Sequence, residues 1–192
     1  MSKSVKTKNS NSVKKSAKVA PAKKSAVASK QTKAEGHTHL KPGMKAPTFK
    51  GVDQHGNALR LADFKGKKLA LYFYPRDMTP TCTVQACNLR DDFSLLRKKG
   101  IAVLGVSIDD AKRHQSFIDK HQLPFSLLED PDAVVLQQYG VWGEKMFMGK
   151  KIIGTHRTTF LIDEHGFIAH ILHKPNSKDH AKEIIAAWEA TK

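Results

Sequence analysis

Hydrophobic positions along this chain fall into three patterns. Lys68–Tyr74 (K-L-A-L-Y-F-Y) and Ile101–Ile108 (I-A-V-L-G-V-S-I) are continuous apolar runs, which predicts strands buried on both faces. Pro75 bars extension of the first. Thr48–Val52 and Ala58–Leu61 alternate around the turn D-Q-H-G-N, and Thr158–Asp163 and Phe167–His173 flank E-H-G, so each pair predicts a hairpin. Val84, Leu89, Phe93 and Leu96 recur at roughly helical spacing, which predicts a helix over Val84–Lys99 closed by Gly100. Asp110–His121 and Lys178–Trp188 read as further helices, and Pro124–Leu128 as a short strand. Pro131–Tyr139 reads as a helix capped by Asp130, with proline in its first position. Val141–Gly154 lacks a period and reads as a Gly/Lys-rich loop. Strands alternating with helices, then a hairpin and a last helix, predict an α/β sandwich with a mixed central sheet flanked by helices.

Charge divides the chain near Leu40. Residues 1–40 hold ten lysines, one acid (Glu35), no arginine and no aromatic residue, so they carry +9 of the net +15. Such a segment cannot bury enough apolar surface to offset its ordering entropy, and residues 1–40 are expected to be a disordered tail ahead of a domain spanning 41–192. No stretch approaches the roughly 20 apolar residues of a membrane span, so no membrane partner is expected. With no apolar leader core and no arginine in the tail, the expected location is the cytoplasm, the basic tail leaving a nucleoid, nuclear or organelle address open. A lysine tail binds nucleic acid, if at all, through phosphate charge, weakly and without reading bases.

The only two cysteines stand five residues apart in T-P-T-C-T-V-Q-A-C, residues 79–87. Two thiols in a chain of this size do not make a secreted disulfide scaffold. No ligand set of tetrahedral spacing accompanies them, and His37 and His39 lack a third ligand nearby, so neither a metal nor a cofactor is expected. The predicted order of elements puts Pro75–Thr81 in the loop at the carboxyl end of a central strand, where ligands gather in open α/β sheets. Cys82 then opens the following helix, whose free N–H groups and positive partial charge favour a thiolate. Two buried thiols acting as small apolar residues are the plain alternative.

P-R-D-M-T-P-T-C, residues 75–82, resembles the peroxiredoxin pattern P-x-x-x-T-x-x-C. The second cysteine five residues on, F-Y-P before the motif, R-T-T-F-L-I-D at 157–163, V-W-G-E-K at 141–145 and the H-A before the last helix are similar to the bacterioferritin-comigratory, or peroxiredoxin Q, type. The resemblance implies a thioredoxin-like fold and thiol-dependent reduction of hydrogen peroxide and organic hydroperoxides. It implies a peroxidatic role for Cys82 and a resolving role for Cys87, through an intrachain disulfide. Thr79 corresponds to the hydroxyl beside the thiolate, Pro75 to a shielding proline and Arg157 to a guanidinium beside the sulfur. The implied reductant is thioredoxin or a similar dithiol, and an intrachain pair suits a monomer. Thr81 and Gln85 stand where the family often has Gly and Glu, and neither is expected to touch the reacting atoms. A nucleic-acid-associated protein and a redox sensor are the competing readings. Trp142, Met146 and Met148 are read as packing residues.

Overall fold

A computed structural model describes residues 37–190. In chain order the elements are β1 (Lys50–Val52), β2 (Ala58–Arg60), a 3-10 turn (Leu61–Phe64), β3 (Lys68–Phe73), α1 (Pro80–Asp91), α2 (Phe93–Lys98), β4 (Ile101–Ser107), α3 (Ala111–His121), β5 (Ser126–Glu129), α4 (Val134–Gln138), β6 (Trp142–Phe147), β7 (Lys150–Thr155), β8 (Thr158–Ile162), β9 (Ile168–His173) and α5 (His180–Ala190). Among the described residues, no helix is long and apolar enough to cross a membrane.

The central sheet runs β5-β4-β3-β8-β9. β3, β4 and β5 pair parallel, and β8 joins β3 antiparallel with β9 on its outer edge, so the sheet is mixed as expected. Side chains of β3 alternate between two cores. Leu69, Leu71 and Phe73 pack on one face with Leu104, Tyr139 and Phe160, while Ala70 and Tyr72 pack on the other with Leu89, Phe117 and Ile184. That double burial is why β3 and β4 read as unbroken apolar runs. Gly105 leaves room for the Tyr72 ring, because a Cβ there would lie 2.7 Å from the ring's Cζ.

Several expected boundaries move. The helix expected over Val84–Lys99 begins earlier, at Pro80, whose missing N–H is no loss in the first turn, and it breaks at Asp92 into α1 and α2. α4 is shorter than Pro131–Tyr139. The Asp130 carboxylate accepts from the N–H groups of Val134 and Leu136, and Ala133 takes a left-handed φ of 54°, so the helix starts only after them. Val141–Gly154 is not a loop but an antiparallel ribbon, with Trp142 opposite Thr155 and Phe147 opposite Lys150. The packed chain also includes residues ahead of Lys41. Thr38 donates to the Tyr139 carbonyl at 2.6 Å, and Leu40 is buried. The rest of the expected tail lies outside the described residues.

Candidate active site

β3 delivers the chain to Tyr74 and Pro75 at its carboxyl end, and the next four residues form the loop before α1. Met78 takes a left-handed φ of 61°, a conformation that costs about 1–3 kcal/mol for a residue other than glycine. A buried polar network under the loop holds it there. Asp77 accepts from the Tyr74 hydroxyl at 2.6 Å and lies 2.7 Å from His114 Nδ1, and its own N–H donates to Asp109 at 2.7 Å. His114 Nε2 faces the Leu128 carbonyl, and Asp109 is held by Ser107 and Arg113. Burial and the neighbouring Asp77 push the Tyr74 phenol well above its ordinary range, so it stays a donor.

Thr79 precedes the first turn of α1, with its hydroxyl donating to the Arg76 carbonyl at 3.0 Å rather than capping the helix. Cys82 is the third helical residue, 3% exposed. Arg157, just ahead of β8, reaches it because Thr158 pairs with Phe73 at the end of β3. Its guanidinium donates through Nη2 to Cys82 Sγ at 3.2 Å and through Nη1 to the Gln85 side-chain oxygen. The Gln85 amide then meets His180 Nδ1 at 3.0 Å, and His180 Nε2 meets the Thr159 hydroxyl at 2.9 Å. With the Gln85 oxygen accepting from Arg157, its NH2 donates to His180 Nδ1, so the ring proton sits on Nε2. Burial, then the Arg157 charge, pushes His180 down to about 3, which keeps the ring neutral as that bonding requires. The Tyr72 ring abuts His180 edge-on at 5.9 Å.

A pocket of about 500 Å³ opens over the thiol, lined by Pro75, Thr79, Arg157, Trp142, Lys145 and Ile152 among others. Lys145 donates to the Thr155 carbonyl at 2.7 Å, and burial and Arg157 lower its pKa. Another cavity, of about 320 Å³ beside Leu61, Phe64 and Ile162, holds neither thiol.

The fold therefore brings Cys82, Thr79, Pro75 and Arg157 around one pocket and leaves Cys87 out of it. Cys87 is half-buried, 3.9 Å from His121 Nδ1 on α3, and both thiols are free. α1 is continuous between them, which puts their Cα atoms about 8.6 Å apart on nearly opposite sides. Gln85, expected to sit away from the reacting atoms, holds the guanidinium that touches them. Asp77, His114 and His180 carried no assigned role in the sequence reading. The H-A pair, expected before the last helix and found to open α5, was the only signal for His180. Met146 and Met148, read as packing residues, are 65% and 87% exposed, and Trp142 is half-buried on the pocket wall.

A buried thiol at a helix start under a guanidinium, on a mixed thioredoxin-like sheet, defines a thiol peroxidase. Residues 42–171 match the AhpC/TSA family, and the chain belongs to that family, as a peroxiredoxin of the Bcp or Q type. It is 46% identical over 149 residues to peroxiredoxin Bcp of Escherichia coli, covering 78% of this chain and 95% of that one. Against peroxiredoxin Bcp of Bacillus subtilis the identity is 41% over 143 residues, covering 74% and 91%. Peroxiredoxin Q of Xanthomonas campestris superposes with a TM-score of 0.72 at 31% identity, covering 79% of this chain and 99% of that one.

Proposed function

We propose that this chain reduces hydrogen peroxide and organic hydroperoxides at Cys82, resolves the product on Cys87 and is recycled by thioredoxin or a similar dithiol. The observation that carries the reading is the Arg157 guanidinium, 3.2 Å from Cys82 Sγ inside the pocket. The Cys82 thiolate attacks the nearer peroxide oxygen, the S–O bond forms and the O–O bond breaks. The departing oxygen takes a proton and leaves as water or an alcohol, and Cys82 becomes a sulfenic acid. A thiolate alone does not make this fast. In-line placement and a donor for the leaving oxygen supply the rest. Arg157 has the planar fork to serve sulfur and oxygen together, and Gln85 holds that fork in plane. Thr79, whose hydroxyl proton is committed to the Arg76 carbonyl, presents its lone pairs to a peroxide O–H. Pro75 excludes water from one side.

Resolution joins Cys87 sulfur to Cys82 sulfur and expels the sulfenic oxygen as water. A disulfide needs Cα atoms within about 7 Å, closer than an intact α1 allows, so the helix unwinds first. The dithiol reductant then exchanges with the bridge and leaves both cysteines reduced. The test is peroxide consumption with thioredoxin and its reductase, followed by trapping of the sulfenic acid and mass spectrometry. The modification is expected on Cys82; a sulfenic acid on Cys87 would reverse the assignment, and no consumption would leave the sensor reading in its place.

A further inference from the structure

Five of the ten exposed large hydrophobic side chains among the described residues lie in the β6–β7 ribbon: Met146, Phe147, Met148, Ile152 and Ile153. The ribbon is a separate two-stranded sheet, not hydrogen-bonded to the central one. Its register puts Met146 opposite Lys151 and Ile153 opposite Glu144 on one face, and Phe147 opposite Lys150 and Ile152 opposite Lys145 on the other. Both faces are therefore apolar toward the tip, and both carry lysine. At the tip, Met148 and Gly149 have φ of 48° and 75°. A turn with positive φ at both central residues favours Asn, Asp or Gly at the first. A methionine there, 87% exposed, is strained as well as unburied.

We propose that the β6–β7 ribbon docks on anionic lipid bilayers by inserting its tip into the headgroup region. A protein partner would cover one face of a ribbon. A ribbon apolar on both faces suits a medium that surrounds it, and flanking lysines then meet lipid phosphates while their stems lie along apolar surface. The charge balance agrees. With Lys145 turned to the Thr155 carbonyl, exposed Lys150 and Lys151 stand against Glu144 within the ribbon, Lys151 pairs with that Glu at 3.6 Å, and the whole chain carries +15. The expectation of no membrane partner came from the lack of a spanning stretch, which does not bear on surface docking. Phe147, Ile152 and Ile153 also line the Cys82 pocket, so docking would turn the pocket mouth toward the bilayer. The docking does not rest on the peroxidase reading.

The test is co-sedimentation of the reduced full chain with vesicles, half phosphatidylglycerol and half phosphatidylcholine, against phosphatidylcholine alone. The variant is Met146→Ser with Met148→Asn. Neither residue lines the pocket, and Asn suits the turn, so folding and hydrogen peroxide reduction in solution stay unchanged. The native chain is expected to bind the anionic vesicles with a part that survives high salt, and the variant to bind roughly tenfold or more weakly. Equal binding by the two chains would assign the attraction to the lysine tail and overturn the proposal. So would absence of vesicle binding, or a sedimentation velocity showing that the variant loses a dimer while vesicle binding persists. Because the readout is binding, a failed peroxidase assay would leave this result standing, and the reverse also holds.

Discussion

The two cysteines share one helix and almost nothing else. Cys82 sits in the first turn, buried, with a guanidinium on its sulfur and a chain of polar partners behind it running through Gln85 and His180 to Thr159. The loop before it is tied down by the Asp77–His114 pair. Cys87 is half-buried, and its contact with His121, 3.9 Å, is long even for sulfur. A peroxide site needs atoms held in place, because misplacement costs rate steeply. A resolving thiol needs freedom to travel. In the reduced chain α1 meets only the first requirement: Ala86 and Leu89 on either side of Cys87 are in the core and Asn88 accepts from the Ala181 N–H, so the second is met only when the helix unwinds.

The harshest way to break this contrast is to exchange each sulfur in turn. Cys82→Ser is expected to abolish turnover. Cys87→Ser is expected to leave the first peroxide step near its native rate, with the sulfenic acid persisting or over-oxidising for want of a partner. Stopped-flow with one equivalent of peroxide separates the two, and a first step lost in both variants would mean the thiols are not divided by role.

Removing the cation is expected to cost less. Arg157→Met should slow the peroxide step by about 10²–10³-fold, the scale of a lost transition-state donor. Thiolate fraction and second-order rate are measured together; a rate loss that matches only the lost thiolate would reduce Arg157 to a charge beside sulfur. Gln85→Leu reaches the same step at one remove. It leaves Arg157 Nη1 and His180 Nδ1 without their Gln85 partner, while Nη2 keeps Cys82 and Nε2 keeps Thr159, and a loss of about tenfold is expected, from a charge-assisted hydrogen bond of about 1.5 kcal/mol. A native rate in Gln85→Leu would show that the fork holds itself in plane.

Acid sharpens the contrast most gently. In the folded chain His180 is held neutral down to about 3, and in the unfolded chain it takes a proton near the ordinary 6.5. The stability it protects is complete above about 6.5 and drains as pH falls toward 3, by on the order of a few kcal/mol. His156, held down to about 4 by burial and by His37 stacked on it at 3.5 Å, adds in the same direction. Urea unfolding at neutral pH and near pH 5 is expected to show the loss, with a shallower slope in His180→Asn. An equal slope would place the acid sensitivity elsewhere.

How legible each feature was follows from where its determinants lie. β3 and β4 were plain because burial on both faces leaves an unbroken apolar run. Cys82, Thr79 and Pro75 fall within eight residues, so their grouping shows locally, and Arg157 was recoverable only through a second segment of the motif. The β6–β7 ribbon was misread because G-E-K-M-F-M-G-K-K-I-I-G does not alternate. A ribbon exposed on both faces has no inside to impose a period of two. Gln85 and His180 were missed because they meet across 95 positions, and a buried glutamine on a helix looks the same in sequence as a solvated one. Asp130 was expected as the cap residue, but that position falls on Ala133; the Asp130 carboxylate reaches from three residues earlier to the Val134 and Leu136 N–H groups, so the helix begins later than the proline suggested.

The central claim is that α1 serves the two thiols in two different states. Hydrogen exchange over residues 82–90, compared between the reduced chain and the chain with its disulfide confirmed by mass, addresses it directly. The account predicts strong protection in the reduced form, where Pro80–Asp91 is helical, and its loss over the first turns of the oxidised form. Equal protection in both forms would mean the bond closes on an intact helix, and would contradict it.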